Sequence, residues 1–136
     1  MTSELRHILC VDDDDDILEV TKLCLESIGG YRVTSRSSGA DIVSVVERAQ
    51  PDLVLLDVMM PGVDGPATLK LLQQATPPSQ VPVVFMTARV QPTEVSEYLG
   101  LGAVGVVPKP FDPMQLSDQV ASIWRTWQDT RVCLGG

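Results

Sequence analysis

The sequence predicts an α/β fold: a doubly wound, five-stranded parallel sheet with helices on both faces. Short strand-like runs alternate along the chain with longer segments of helical period, which is the pattern of repeated βα units. Three of the runs are almost entirely apolar, as expected for strands that helices cover on both sides. The 136 residues suit one domain of this kind, without a second one.

Five strands are predicted, and the first, third and fourth are placed at the centre of the sheet because they are the most apolar. The only histidine, His7, is expected to be exposed where the first strand begins. The three prolines between Thr76 and Pro82 indicate a loop before the fourth strand. The predicted strands are Ile8 to Val11, Arg32 to Ser35, Leu53 to Leu56, Val83 to Met86 and Gly105 to Val107.

Apolar residues at helical spacing predict helices between the strands. The first helix ends at Gly29-Gly30 and the second before Pro51, since glycine and proline end helices. The apolar faces are predicted to contain Ile17, Val20, Cys24 and Ile28 in the first helix, and Ile42, Val46 and Ala49 in the second.

Three more helices complete the five βα units. The third starts at Pro66 and runs through Gln74, and the fourth is short, from about Thr93 to Leu99. Asp112-Pro113 suits the start of the fifth, because aspartate caps helices and proline fits the first turn. The face of the fifth helix is predicted to carry Leu116, Val120, Ile123 and Trp127. The domain is thus predicted to span residues 1–136, with a core from about 6 to 129 and a frayed tail at 130–136.

The charge balance limits the partners that this chain can have. Eighteen acidic residues against ten basic ones give a net charge of −8, which argues against direct binding of nucleic acid or of an anionic membrane. No run approaches the roughly 18 apolar residues of a membrane span, and the first residues do not resemble a signal peptide. The three cysteines are odd in number and widely spaced, so neither a disulfide framework nor a zinc site is indicated. We expect a cytoplasmic protein.

Charged residues follow three of the predicted strands. Asp12-Asp13 follows the first strand, Asp57 the third and Lys109 the fifth. Because the carboxyl ends of parallel strands meet at one edge of the sheet, these side chains are expected to share a pocket. Clustered carboxylates need a cation to be ionised together, and the ammonium suits an anionic ligand. The pattern therefore predicts a divalent metal site that receives a phosphoryl group.

The chain resembles the receiver domain of two-component response regulators, from about Arg6 to Asp129. The matching motifs are Val11-Asp12-Asp13, the segment Pro51 to Gly65 around Asp57, Met86-Thr87-Ala88 and Lys109-Pro110-Phe111. The resemblance implies strand order 2-1-3-4-5. It also implies that Asp57 accepts a phosphoryl group from a phosphohistidine of a sensor histidine kinase or histidine phosphotransfer protein, and that the acyl phosphate later hydrolyses.

The resemblance also implies a role for each site residue. Mg²⁺ would be held by Asp13, Asp57 and the backbone carbonyl of Met59, with Asp12 holding a metal-bound water. The phosphoryl group would be bound by Lys109 and the Thr87 hydroxyl, with room left by the small Ala88. A cis peptide bond is expected at Lys109-Pro110. Asp14 to Asp16 are expected only to cap the first helix and favour its first turn.

One position departs from the family pattern. Val106 stands where many members carry an aromatic residue that reports the position of the threonine corresponding to Thr87. Output to an unidentified partner protein is therefore expected through the loop after Thr87 and the helix that contains Val95 and Tyr98. Met59 and Arg89 are expected to flank the access route to the phosphoryl group and to tune its lifetime.

Other functions fit the sequence less well. A receiver-like binding module that works without phosphorylation is the main alternative, but it would be expected to lack an acid, the threonine or the lysine. A magnesium phosphohydrolase would need a D-x-D-x-T pattern, which fails because Asp16 and Pro61 stand at the threonine position.

Two ligand-binding alternatives are also disfavoured. A calcium loop starting at Asp12 would need glycine at its sixth position and glutamate at its twelfth, where this chain has Ile17 and Leu23. A flavodoxin-like FMN carrier would need a glycine- and hydroxyl-rich loop where this chain has five aspartates.

Overall fold

The computed structural model describes residues 4–75 and 79–135, with side chains described to residue 130. Part of the predicted loop from Thr76 to Pro82 lies outside these residues. The strands form one parallel sheet in the order β2-β1-β3-β4-β5, which confirms the predicted fold class and strand order. The strands are β1 His7–Val11, β2 Arg32–Arg36, β3 Leu53–Asp57, β4 Val83–Thr87 and β5 Gly105–Pro108.

Helices cover both faces of this sheet. One core lies between the sheet and helices α1 and α5, and the other lies between the sheet and helices α2, α3 and α4. All five residues of β1, of β3 and of β4 are buried, as expected for the central strands. The helices are α1 Asp15–Ser27, α2 Ile42–Ala49, α3 Gly65–Gln74, α4 Pro92–Leu101 and α5 Leu116–Gly135.

The register of the strands brings their carboxyl ends to one edge. Val11 pairs with Leu56, and Asp57 with Met86. Thr87 pairs with Pro108, directly before Lys109. The residues that follow β1, β3, β4 and β5 are thereby collected in one place.

Helix α1 buries a different face from the one predicted. Its buried residues are Leu18, Thr21, Cys24 and Leu25. Of the predicted face only Cys24 is buried, whereas Val20 is 43% exposed and Ile28 is 45% exposed. Two overlapping apolar faces exist in this segment, and helical spacing cannot choose between them. Packing on the sheet makes the choice and leaves Ile17 and Val20 toward the surface.

The limits of α5 also differ from the prediction. Asp112 forms a turn before the helix: its side chain accepts a hydrogen bond from the N–H of Met114, at 2.9 Å. The helix itself begins at Leu116 and continues to Gly135, so most of the predicted tail is helical. No proline interrupts the backbone hydrogen bonds after Asp129, and the first glycine there is Gly135 itself.

The prediction that His7 is exposed is wrong. Its side chain is buried, with Nε2 lying 2.7 Å from Oγ1 of Thr34 and Nδ1 lying 3.2 Å from Nη2 of Arg32. These partners come from the neighbouring edge strand β2. A polar ring is therefore covered and hydrogen-bonded at the end of the sheet away from the aspartates.

Candidate functional site

The acidic run after β1 divides into two parts. The side chain of Asp14 accepts hydrogen bonds from the N–H groups of Asp16 and Ile17 and so caps α1. Oδ1 of Asp12 accepts from the N–H of Asp14 at 2.9 Å, which holds the Asp12 carboxylate against the start of the helix. Asp14 thus has the capping role that was predicted for it.

Three carboxylates meet at the predicted edge. Oxygen atoms of Asp12, Asp13 and Asp57 all lie within 4.8 Å of one another. Asp12 is 5% exposed and Asp57 is 4% exposed, whereas Asp13 is exposed. The cluster is therefore open to solvent on the Asp13 side.

Lys109 joins two of these carboxylates. Its Nζ donates a hydrogen bond to Oδ2 of Asp12 at 2.7 Å and another to Oδ1 of Asp57 at 2.9 Å. Burial raises the pKa of Asp57, while the hydrogen bond from Lys109 opposes that rise. Burial lowers the pKa of Lys109, but its bonds to Asp12 and Asp57 outweigh this and the net direction is upward. The ammonium is therefore charged at neutral pH.

The donor atoms of the cluster fit magnesium. One ammonium cannot neutralise three carboxylates, so the site favours an added cation. Mg²⁺ prefers oxygen ligands and is commonly held by one or two carboxylates together with waters. Met59 is 63% exposed, and a role for its backbone carbonyl as a metal ligand stays a prediction.

Thr87 lies buried at the end of β4. Its Oγ1 accepts a hydrogen bond from the N–H of Arg89 at 3.0 Å, which leaves the hydroxyl proton able to donate elsewhere. Its carbonyl accepts from the N–H of Lys109 at 2.9 Å. Ala88 is exposed next to it, and the Lys109–Pro110 peptide bond is cis. Thr87 is thus hydrogen-bonded to the backbone of both Arg89 and Lys109.

The predicted output elements include an aromatic contact between β4 and α4. Val106 is partly buried and lines a groove of about 390 Å³ together with residues of α5. Tyr98 is the buried residue of α4, and its ring packs edge-on against Phe85 of β4 with centroids 5.5 Å apart. Tyr98 was predicted to belong to the output helix, but its contact with Phe85 was not predicted, because a ring pair between a strand and a helix leaves no local pattern in the sequence.

An apolar groove adjoins the acidic pocket and was not predicted. It has a volume of about 450 Å³, and its lining is almost wholly apolar. Partly buried Ile17 and exposed Val20, one turn apart on α1, form one wall of the groove. Both residues were visible in the sequence as apolar, but they were predicted to lie in the core. The lining residues are Asp16, Ile17, Val20, Ala88, Lys109, Pro110, Phe111 and Pro113.

The fold and the site together define a flavodoxin-like domain with an acidic pocket at the carboxyl edge of its sheet. The sequence matches the family model of the response regulator receiver domain over residues 8–121, and the chain belongs to that family. None of the helices in the described part of the chain is long and apolar enough to span a membrane.

Curated relatives include transcriptional regulators. The chain is 37% identical over 123 residues to the transcriptional regulatory protein CseB of Streptomyces avermitilis, covering 90% of this chain and 51% of the relative. It is 34% identical over 112 residues to the response regulator SaeR of Staphylococcus aureus, covering 82% of this chain and 47% of the relative. The chain thus spans about half the length of these relatives.

Solved structures show the same architecture. The chemotaxis response regulator CheY4 of Vibrio cholerae has a TM-score of 0.79 at 25% identity, with 88% of this chain and 99% of that chain covered. A response regulator structure from Chloroflexus aurantiacus has a TM-score of 0.78 at 30% identity, with 90% of this chain and 99% of that chain covered.

Proposed function

We propose that this chain is a phosphoacceptor of a two-component or phosphorelay system, with Asp57 as the phosphorylated residue and Mg²⁺ as the cofactor. The carrying observation is the position of Asp57, whose buried carboxylate lies 2.9 Å from the Lys109 ammonium and within 4.8 Å of two further carboxylates. Receiver family membership gives the same chemistry independent support.

The proposed transfer is a displacement at phosphorus. A carboxylate oxygen of Asp57 forms a bond to phosphorus, the phosphorus–nitrogen bond to the donor histidine breaks, and the electron pair stays on the imidazole. A carboxylate is a weak nucleophile, so catalysis depends on positioning and charge neutralisation. Lys109 and the Thr87 hydroxyl bind phosphoryl oxygens, and the small Ala88 leaves space for the donor.

Asp13, Asp57 and the Met59 carbonyl would hold Mg²⁺, with Asp12 holding a metal-bound water. Bound there, the ion would supply positive charge that offsets the charge of the carboxylates and of the phosphoryl group. Dephosphorylation follows when a water attacks phosphorus and releases the Asp57 carboxylate. The chain acts on itself only and does not turn over an external substrate.

The groove beside the site suits the phosphodonor. A histidine that reaches Asp57 has to approach past Ala88 and Lys109, which both line this groove. The groove is apolar and borders the acidic start of α1, so it fits an amphipathic helix whose apolar side chains are flanked by basic ones. We propose a sensor histidine kinase or histidine phosphotransfer protein as this partner, in the cytoplasm, and an unidentified output protein as the target.

Intact mass after incubation with acetyl phosphate and Mg²⁺ tests the proposal. The wild type is expected to gain one phosphoryl group in a metal-dependent way, and Asp57→Asn is expected to gain none. Asp118→Asn, which removes an exposed carboxylate on α5, serves as the control and should behave like the wild type. Absence of any gain with several donors would overturn the proposal in favour of a phosphorylation-independent binding module.

A further inference from the structure

We infer that Gly65 is a positioning residue for the metal site, because the absence of its side chain sets where the backbone of Asp57 and Val58 lies. Gly65 is the first residue of α3 and is buried. Its N–H donates a hydrogen bond to the carbonyl of Val58 at 3.0 Å. A Cβ at Gly65 would lie 2.7 Å from the carbonyl oxygen of Asp57 and 2.8 Å from Cα of Val58.

Both of these contacts are to backbone atoms, so no rotamer change can relieve them. The requirement is for space, since the φ of Gly65 is outside the left-handed region. Gly62 in the same loop is the opposite case: its φ is 77°, and a Cβ there would meet nothing within 4 Å. The two glycines of this loop therefore have different roles, and only at Gly65 would an added Cβ collide with the backbone of Asp57.

The loop between β3 and α3 cannot absorb a displacement easily. The N–H of Val58 donates to the carbonyl of Met86 at 3.1 Å, which ties the start of the loop to β4. Val58 and Met60 are both buried, and Asp64 caps α3 by accepting from the N–H of Ala67 at 2.9 Å. A side chain at position 65 would therefore push on Asp57 and Val58, which directly precede Met59.

The inference rests on the proposed function, in which Asp57 and the Met59 carbonyl hold Mg²⁺. Magnesium demands near-octahedral geometry and tolerates little displacement of its oxygen ligands. Changes to groups that orient metal ligands typically weaken metal affinity about 10- to 100-fold. We therefore expect Gly65→Ala to fold and to bind the metal at least about tenfold more weakly than the wild type.

The test measures metal affinity without phosphorylation. Mn²⁺ is titrated into the protein and free Mn²⁺ is followed by electron paramagnetic resonance, with Mg²⁺ added as a competitor, and urea unfolding is recorded for each variant. Gly105→Ala is the matched control, because a Cβ at Gly105 would also be crowded, lying 2.6 Å from Cγ2 of Ile123. Gly105 lies in β5, which is separated from β3 by β4 and so is remote from the Asp57 backbone. This control is expected to lose stability and to keep wild-type metal affinity.

The outcomes separate the inference from the proposed function. Wild-type affinity in a folded Gly65→Ala protein would overturn the inference and leave the phosphoacceptor proposal intact. Absence of metal binding by the wild type would overturn both. If Gly65→Ala does not fold, Asp64→Ala loosens the same helix start by removing its cap. Weaker metal binding by that variant is then the expected result, and unchanged binding would count against the role of Gly65.

Discussion

The ammonium of Lys109 lies 2.9 Å from Oδ1 of Asp57, so the proposed phosphoacceptor is already paired with a cation before any ligand binds. The same ammonium bonds Asp12. It therefore holds two buried carboxylates together, and its removal leaves them next to each other without compensation.

Lys109→Met is expected to destabilise the metal-free protein by about 3 kcal/mol, because removing one partner of a buried ion pair leaves an uncompensated charge. Added Mg²⁺ should restore part of this loss by supplying positive charge to the same carboxylates. Urea unfolding with and without Mg²⁺ measures both effects. Lys70→Met, at an exposed position of α3, should stay within about 0.5 kcal/mol of the wild type. A Lys109→Met loss that Mg²⁺ does not reduce would contradict this account of the site.

The free energy of unfolding is expected to decrease as the pH falls below 6.5, because His7 is protonated more readily in the unfolded chain than in the folded one. Burial lowers the pKa of His7 from its usual 6.5, and the Arg32 guanidinium lowers it further, against an opposing effect of Asp52. Below pH 6.5 the unfolded chain takes up a proton that the folded chain does not, so the free energy of unfolding decreases. The contribution is complete above pH 6.5 and is lost toward the lower pKa of the folded state.

Urea unfolding between pH 7.5 and 5 measures this dependence. His7→Gln keeps polar atoms at the site but cannot titrate, so its stability should vary less over that range than that of the wild type. Equal pH dependence in the two proteins would show that His7 does not take up the proton.

Thr87→Ala is expected to accept a phosphoryl group but to show little of the structural change that phosphorylation causes in the loop before α4. The variant loses the Oγ1 that accepts from the Arg89 N–H at 3.0 Å, and with it the link between the site and the loop before α4. In the wild type, beryllofluoride should shift backbone amide resonances from Arg89 to Gly105, and in the variant these shifts should be largely lost. Thr87→Ser keeps the hydroxyl and should respond like the wild type. Identical spectra for the free and beryllofluoride-bound wild type would refute this output route.

Arg89→Ala is expected to shorten the phosphoryl lifetime. Arg89 is exposed beside the site, where a cation can steady the phosphoryl oxygens and hinder the attacking water. A rate increase of about threefold would correspond to about 0.7 kcal/mol in the barrier. Loss of the phosphorylated mass over time gives the rate, with Arg48→Ala on α2 as the control. An unchanged lifetime would show that Arg89 does not affect dephosphorylation.

The elements were predictable where local patterns are strong. The apolar runs of β1, β3 and β4 located the central strands, because burial on both faces needs continuous apolar sequence. Helix faces and ends were less predictable. In α1 the buried face was misassigned, and in α5 the turn at Asp112 was mistaken for the cap of the helix, which begins at Leu116. Both errors arise because packing on the sheet selects among alternatives that the sequence leaves nearly equal.

The sequence by itself determined the fold class, the strand order through family resemblance, and which charged residues follow which strands. Only the tertiary structure decided how these residues meet: that Lys109 bonds both Asp12 and Asp57, that His7 is covered by β2, and that Gly65 lies against the Asp57 backbone. Hydrophobic periodicity depends only on residues close together in the chain, so the sequence shows it directly. Contacts across strands depend on register and on helix placement, which are set by packing over the whole domain.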